Sequence, residues 1–145
     1  DPEPMMIYGD AAQLQQIILN LLFNSKDAVA ELSGEKRIVL RAEQAHEDMP
    51  EWDKRPQRDA KAGDFVCIKV RDNGCGIPPA LVGHIFDPFF TTKGPHKGTG
   101  MGLAMVYGCV THHQGWLDVK SQVCQGTEFT VFLPKARKGK KVGER

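Results

Sequence analysis

The stretch Lys97-Gly98-Thr99-Gly100-Met101-Gly102-Leu103 alternates three glycines with larger residues and runs into Leu103, Val106, Tyr107 and Val110 at helical spacing. A turn of this kind feeds a helix whose first amides have no intrahelical partners. Those N–H groups and the positive end of the helix dipole suit an anion, and glycine lets backbone approach it without a Cβ in the way. A phosphate is the expected ligand. Each glycine near a helix start costs up to about 1 kcal/mol of extra backbone entropy, so three together cost roughly 2 to 3 kcal/mol of a typical domain's 5 to 15. Taken alone the pattern also fits a flexible loop. It is neither of two familiar phosphate cradles: the dinucleotide fingerprint needs glycine where Leu103 stands, and the Gly-Lys-Ser/Thr of the P-loop occurs nowhere.

Just upstream lies Ile85-Phe86-Asp87-Pro88-Phe89-Phe90-Thr91-Thr92-Lys93, an aromatic anchor leading into a polar, glycine-containing stretch through Gly100. Such a segment is fixed at its base and able to act as a lid; a packed turn is the competing reading. Further upstream, Asp72-Asn73-Gly74-Cys75-Gly76-Ile77-Pro78 follows an alternating strand over 64–71. A carboxylate at a strand end can accept a hydrogen bond from a ligand amine, and two glycines leave room for a flat ring. In isolation an Asp-Asn-Gly turn is the simpler explanation.

An earlier strand over 37–45 pairs with it as a hairpin whose long connection, residues 46–63, is charged, proline-broken and carries Trp52. Before it, Asp10 as N-cap and Gln13 open a long amphipathic helix with Leu14, Ile17, Ile18, Leu21, Leu22, Ala28, Val29 and Leu32 on its apolar stripe. Asn20, Asn24 and Asp27 gather on a neighbouring face. Asparagine and aspartate are poor interior helix formers, which favours a functional reading over a merely solvated side. The Asn24 amide oxygen is a suitable hard ligand for Mg²⁺. Downstream of the opening stretch, Gly115 is expected to end its helix, with His112 and His113 in the last turn. Strands over 116–121 and 127–133 follow, joined through Gln125-Gly126.

The bulk numbers describe an ordinary globular chain of 145 residues, 41% hydrophobic and 26% charged. No apolar run approaches the length of a membrane span or a secretion signal, so no membrane contact is expected of this chain. Six basic residues against Glu144 leave residues 135–145 at +5, while 13 basic and 17 acidic residues leave the remainder at −4. That balance argues against a nucleic-acid face and for a basic linker. Cys67, Cys75, Cys109 and Cys124 show neither metal-site nor disulfide-framework spacing, which fits a reducing cytoplasm. Cys75 reads as incidental.

Together these motifs resemble the catalytic, ATP-binding domain of sensor histidine kinases of two-component signalling. Leu19-Asn20-Leu21-Leu22-Phe23-Asn24-Ser25-Lys26-Asp27-Ala28 is similar to that family's N box, and Asp72-x-Gly74-x-Gly76 to its first glycine box. Phe86-Asp87-Pro88-Phe89-Phe90 resembles the F box and Gly98-x-Gly100-x-Gly102-Leu103 the second glycine box. The match runs from Asp10 to Pro134, and its subtype looks most like nitrogen-regulation-type and hybrid kinases.

The resemblance implies an α/β two-layer sandwich, a mixed sheet with helices on one face, as in the gyrase and chaperone ATPases. Residues 1–9 would be an extended lead, 10–134 the ATP-binding domain with a lid at 91–100, and 135–145 a tail. It further implies that Asp72 binds the adenine amino group, supported by Thr127, and that Asn24 holds the Mg²⁺ bridging the phosphates. The amides around Gly100 and Gly102 would bind phosphate, with Asn20 beside Asn24 in the catalytic set. Asp27, Gly74, Gly76, Ile77, Phe86, Thr92, Lys93, Gly98, Thr99, Met101 and Leu103 would complete the nucleotide site.

The implied partners are ATP, a histidine-bearing dimerisation domain of the same parent protein, and a response regulator or receiver domain. Two departures matter. No phosphoacceptor box occurs in the chain, and Asn20 stands where the related ATPases carry a glutamate base; an amide cannot take a proton from water. Transfer of the γ-phosphoryl to histidine is therefore the leading expectation. A stand-alone serine kinase of anti-sigma type and a non-catalytic nucleotide-binding module are the alternatives, and Asn20 disfavours an ATP-driven machine.

Overall fold

The computed structural model describes residues 11–88 and 102–135. The expected N-cap Asp10, the lead 1–9, the tail beyond 135, and Phe89, Phe90, Thr92, Lys93, Gly98, Thr99, Gly100 and Met101 with the lid 91–100 lie outside the described residues. Among the described residues no helix is long and apolar enough to cross a membrane.

The first helix, α1, spans Ala11–Val29 and buries Ile17, Leu21, Ser25 and Val29, one residue per turn along a single stripe. It stops short of Leu32, whose N–H bonds the Val29 carbonyl in a turn before Gly34. Strands β1 (Ile38–Gln44) and β2 (Phe65–Asp72) form the expected hairpin, in register from Ile38↔Asp72 to Gln44↔Val66. A one-turn helix, α2 (Pro79–Val82), follows β2, and α3 spans Gly102–His112. Strands β3 (Trp116–Gln122) and β4 (Gly126–Pro134) close the chain, and the sheet order is β1-β2-β4-β3. Every pairing among the described strands is antiparallel, so the parallel pair that a mixed sheet requires is not found among the described residues.

Period-two alternation decides which side chains meet the helices. Val66, Ile68 and Val70 from β2 and Phe129, Val131 and Leu133 from β4 face α1 and α3, where they pack with Ile17, Leu21, Val106 and Val110. The opposite face is not simply solvated. Trp52 is 3% exposed and sits with Phe65, Cys67, Trp116 and Phe132 in a second core, so β2 is buried on both sides over most of its length. Its ring lies 5.4 Å from Trp116, which in turn stacks on Phe132 at 4.6 Å between centroids.

The 46–63 connection is therefore a cover over one end of the sheet, shaped by 3-10 turns at Pro50–Lys54 and Ala62–Asp64. Beside Trp52, the buried Glu51 carboxylate takes a hydrogen bond from Lys120 and lies 3.5 Å from Lys69 Nζ. Burial pushes the Glu51 pKa up, but the Lys120 bond, with help from the charge of Lys69, outweighs it and holds the carboxyl below its ordinary range.

Two turns differ from the sequence expectation. The left-handed residue ending α3 is Gln114, at φ 64°, not Gly115. Gln114 N–H bonds the Thr111 carbonyl and Gly115 N–H the Val110 carbonyl, the bond pair of a Schellman cap. Glycine is needed one place later because a Cβ on Gly115 would lie 2.0 Å from the Phe132 carbonyl oxygen. In the β3–β4 hairpin, Gln122 pairs with Gly126, so the connection is Val123, Cys124 and Gln125 and Gly126 already belongs to the strand.

Truncating Trp52 to alanine should cost about 3 to 5 kcal/mol in urea unfolding, the range for deleting a buried aromatic. A cost under 1 kcal/mol would mean the connection is only draped over the sheet. Because the folded pKa of Glu51 is depressed, its contribution is complete above the ordinary value of 4.5 and is lost as pH falls through the folded value. Urea melts of wild type and Glu51→Gln should therefore converge in slope on the acid side, with the wild type losing more stability between neutral and acid pH.

Candidate functional site

The predicted site residues that the structure describes converge where β2 ends, β4 begins and α1 passes over them. Asp72 is the last residue of β2 and pairs directly with Thr127, which pairs on its other side with Ser121 of β3. Alternation turns all three toward the helix side of the sheet. Asp72 is 4% exposed. Its Oδ1 accepts the Gly74 N–H at 2.8 Å, the Asx-turn geometry expected of Asp-x-Gly, whereas its buried Oδ2 has no hydrogen-bond partner among the described residues. An unpartnered buried carboxylate oxygen costs free energy, and a ligand N–H is the group that would satisfy it.

Ser121 is a site residue that sequence reasoning missed. Its hydroxyl accepts the Ile77 N–H at 2.7 Å and shares a 2.8 Å bond with Thr127 Oγ1, and it lies 3.1 Å from the Gly126 carbonyl. It thereby ties the glycine turn after β2 to the β3–β4 hairpin. Only the Gln122↔Gly126 register brings Ser121 opposite Thr127, and that register hung on which residues formed the turn.

The glycine turn also fits onto α1. Cys75 N–H donates to the Ala28 carbonyl at 3.1 Å, and a Cβ on Gly74 would lie 2.5 Å from that same oxygen. Gly74 is thus required by close packing, whatever binds beside it. Two turns earlier on α1, Asn20 Nδ2 reaches the Gly102 carbonyl at 3.4 Å, and its Oδ1 accepts from Gln16 at 3.0 Å. Asn20 joins α1 to the start of α3.

Asn24 lies between these two attachments, half-buried, and its carboxamide makes no hydrogen bond among the described residues. Asp27 is exposed on the next turn. Ile77, Phe86 and Leu103 are partly buried against the main core, and the Phe86 ring lies 5.7 Å from Tyr107 and 6.4 Å from Phe129. Gly76, at φ +76°, and Gly102, at the exposed start of α3, complete the described members of the set.

Among the described residues no three His, Cys, Asp or Glu side chains could together hold a metal ion. A cation at Asn24 would take most of its ligands from water and from a bound phosphate, the manner in which Mg²⁺ is usually held. The amide oxygen is of the right hardness for that ion, so the donor present fits the group.

The family model described as histidine kinase-, DNA gyrase B-, and HSP90-like ATPase matches residues 9–137. The chain is 40% identical over 131 residues to the sensor kinase CckA of Brucella abortus, covering 89% of this chain and 13% of that protein. It is 39% identical to the sensory histidine kinase/phosphatase NtrB of Azospirillum brasilense, covering 92% and 32%. The chain thus spans less than a third of either relative. Among solved structures, the mycobacterial sensor histidine kinase MprB superposes with a TM-score of 0.69 at 25% identity, over 89% of this chain and 76% of that one. Full-length ShkA, crystallised in complex with AMPPNP, superposes at 0.68 with 27% identity, over 92% and 24%.

Replacing Ser121 with alanine removes the partner of the Ile77 N–H and of Thr127. The expected loss in urea unfolding is about 1 to 3 kcal/mol, and a change within a few tenths would show that water replaces the hydroxyl without cost.

Proposed function

The chain belongs to the histidine kinase-, DNA gyrase B- and HSP90-like ATPase family, and from that membership we propose that it binds Mg²⁺–ATP and passes the γ-phosphoryl to a histidine on a separate dimerisation domain. The observation that carries this reading is Asp72: buried at a strand end, half satisfied by Gly74, and offering one unpartnered oxygen beside Thr127. That oxygen accepts the adenine amino group. Thr127, held by Ser121, lines the same end of the pocket, with Gly76 and Ile77 on the turn beside it.

From Ala28, where the glycine turn docks, to Asn20, where α3 begins, α1 advances eight residues, about 12 Å at 1.5 Å each. A nucleotide laid along that line has adenine at Asp72 and phosphates near the start of α3. Asn24, between the two, offers its oxygen to Mg²⁺, which when bound neutralises phosphate charge. The amides at Gly100 and Gly102 receive phosphate, Gly98, Thr99, Met101, Thr92 and Lys93 close over it from the lid, and Phe86 anchors the lid's base. Asp27 and Leu103 border the pocket.

Asn20 acts as a positioning residue. Its carboxamide is committed to Gln16 and Gly102, and an amide offers no base to activate water, so transfer to an imidazole with its own lone pair is favoured over hydrolysis. We place the domain in the cytoplasm, in a parent protein of nitrogen-regulation or hybrid type that signals to a response regulator or receiver domain. The resemblance of the chain to CckA and NtrB supports that subtype.

Calorimetry should show ATP and ADP binding that strengthens with Mg²⁺. Removing a charge-assisted hydrogen bond costs about 1.5 to 3 kcal/mol, so Asp72→Ala should weaken binding at least about tenfold; unchanged affinity would mean the adenine lies elsewhere. With radiolabelled ATP and a separately supplied dimerisation domain of the parent protein, label should appear on the acceptor as an acid-labile, base-stable adduct. Label on serine, or rapid phosphate release without acceptor, would overturn the assignment.

A further inference from the structure

Cys75 and Cys124 stand 49 positions apart in the chain, yet the fold brings their backbones together: Cys124 N–H donates to the Cys75 carbonyl at 2.8 Å. With that N···O distance and standard bond lengths the two Cα atoms lie at most about 6.7 Å apart, within the limit of about 6.8 Å that a disulfide spans. Both residues are exposed and both are free thiols. The other two cysteines lie in different surroundings. Cys67 is wholly buried in the aromatic core with its pKa pushed up to about 12 by burial, and Cys109 is half-buried on α3 against the main core. Access to an oxidant therefore selects the 75/124 pair.

A second feature marks the position. Cys124 adopts φ 67° at the tip of the β3–β4 hairpin, a conformation in which glycine or asparagine is the low-cost residue. The two turns also lie pressed together. A Cβ on Gly76 would be 2.2 Å from the Gln122 carbonyl oxygen, and Ile77 is bonded to Ser121. Backbone contacts therefore flank the cysteine pair.

We propose that Cys75 and Cys124 are an oxidative modification site, closing to a reversible intramolecular disulfide under a hydroperoxide. One thiol reduces the peroxide, taking its oxygen as a sulfenic acid and releasing the reduced fragment as water or alcohol. The second thiol then attacks that sulfur, forming the S–S bond as the hydroxyl leaves with the thiol proton as water. Two protons and two electrons pass from the pair to the peroxide, and a dithiol returns them. The bond staples the turn that carries Asp72 to the hairpin that carries Thr127. Exposed disulfides of this kind are the labile ones, suited to sensing in a reducing compartment.

The test treats the full chain with hydrogen peroxide, blocks remaining thiols with iodoacetamide, and maps peptides without reduction. The expected product is a monomer in which the Cys75 and Cys124 peptides are joined, two hydrogens lighter than the reduced pair and restored by dithiothreitol. Cys67 should be alkylated only after unfolding. Cys75→Ser and Cys124→Ser should each abolish the product, and far-ultraviolet dichroism of the two variants serves as the check on folding. Sulfinic acid on either cysteine with the other still reduced, a link between two chains, or a bond to Cys109 would each overturn the proposal.

Discussion

The arrangement hangs on the pairing of β2 with β4, which runs without a break from Phe65↔Pro134 to Asp72↔Thr127. These are the two central strands, and their inner side chains supply much of the main core. Because side chains alternate, a slip of one residue would turn Val70 and Phe129 to the far face and swing Asp72 away from α1. The end of the ladder is further pinned by contact: a Cβ on Gly126 would lie 2.0 Å from the Asp72 carbonyl oxygen, so only glycine lets the strands meet there. The ladder and the Gly74 amide hold the buried carboxylate at this point, and its second oxygen has no partner among the described residues.

The sheet has two unequal coverings, and they divide the labour. On one face α1 and α3 provide the larger core, and the polar groups of the candidate site lie on that side of the sheet. On the other, the 46–63 connection closes one end with Trp52 and the Glu51–Lys120 pair. That second cover lies on the face away from the site. Paired buried charge adds little net energy beside apolar packing, so Trp52 supplies most of the stability of this cover and Glu51 a smaller, pH-dependent part.

Along α1 the same helix reaches both ends of the site by different chemistry. Near its C-terminus the Ala28 carbonyl accepts the Cys75 amide while Gly74 lies against it, and two turns back Asn20 grips the start of α3. The Asn24 carboxamide between them makes no hydrogen bond among the described residues. The two carboxamides thus differ in satisfaction, that of Asn20 being bonded to Gln16 and Gly102 and that of Asn24 to no described residue.

Much was legible in the chain because it depends on local periodicity and spacing. The stripe from Ile17 to Val29 specified α1, alternation specified all four described strands to within a residue or two, and the four spaced motifs identified the family. Asp72, Asn20 and Asn24 were named as candidates from those motifs, and Thr127 from the family resemblance they carry. What the chain could not disclose were contacts between distant segments, since these depend on register and on which backbone meets which. Gly115 was read as the helix end because glycine favours the left-handed cap, whereas the left-handed residue is Gln114 and the glycine at 115 answers to its close contact with the Phe132 carbonyl. Trp52 gave no sign of its place among Phe65, Trp116 and Phe132 because its connection has no period. Ser121 became part of the site, and Cys75 a neighbour of Cys124, only when the β3–β4 hairpin closed against the turn after β2.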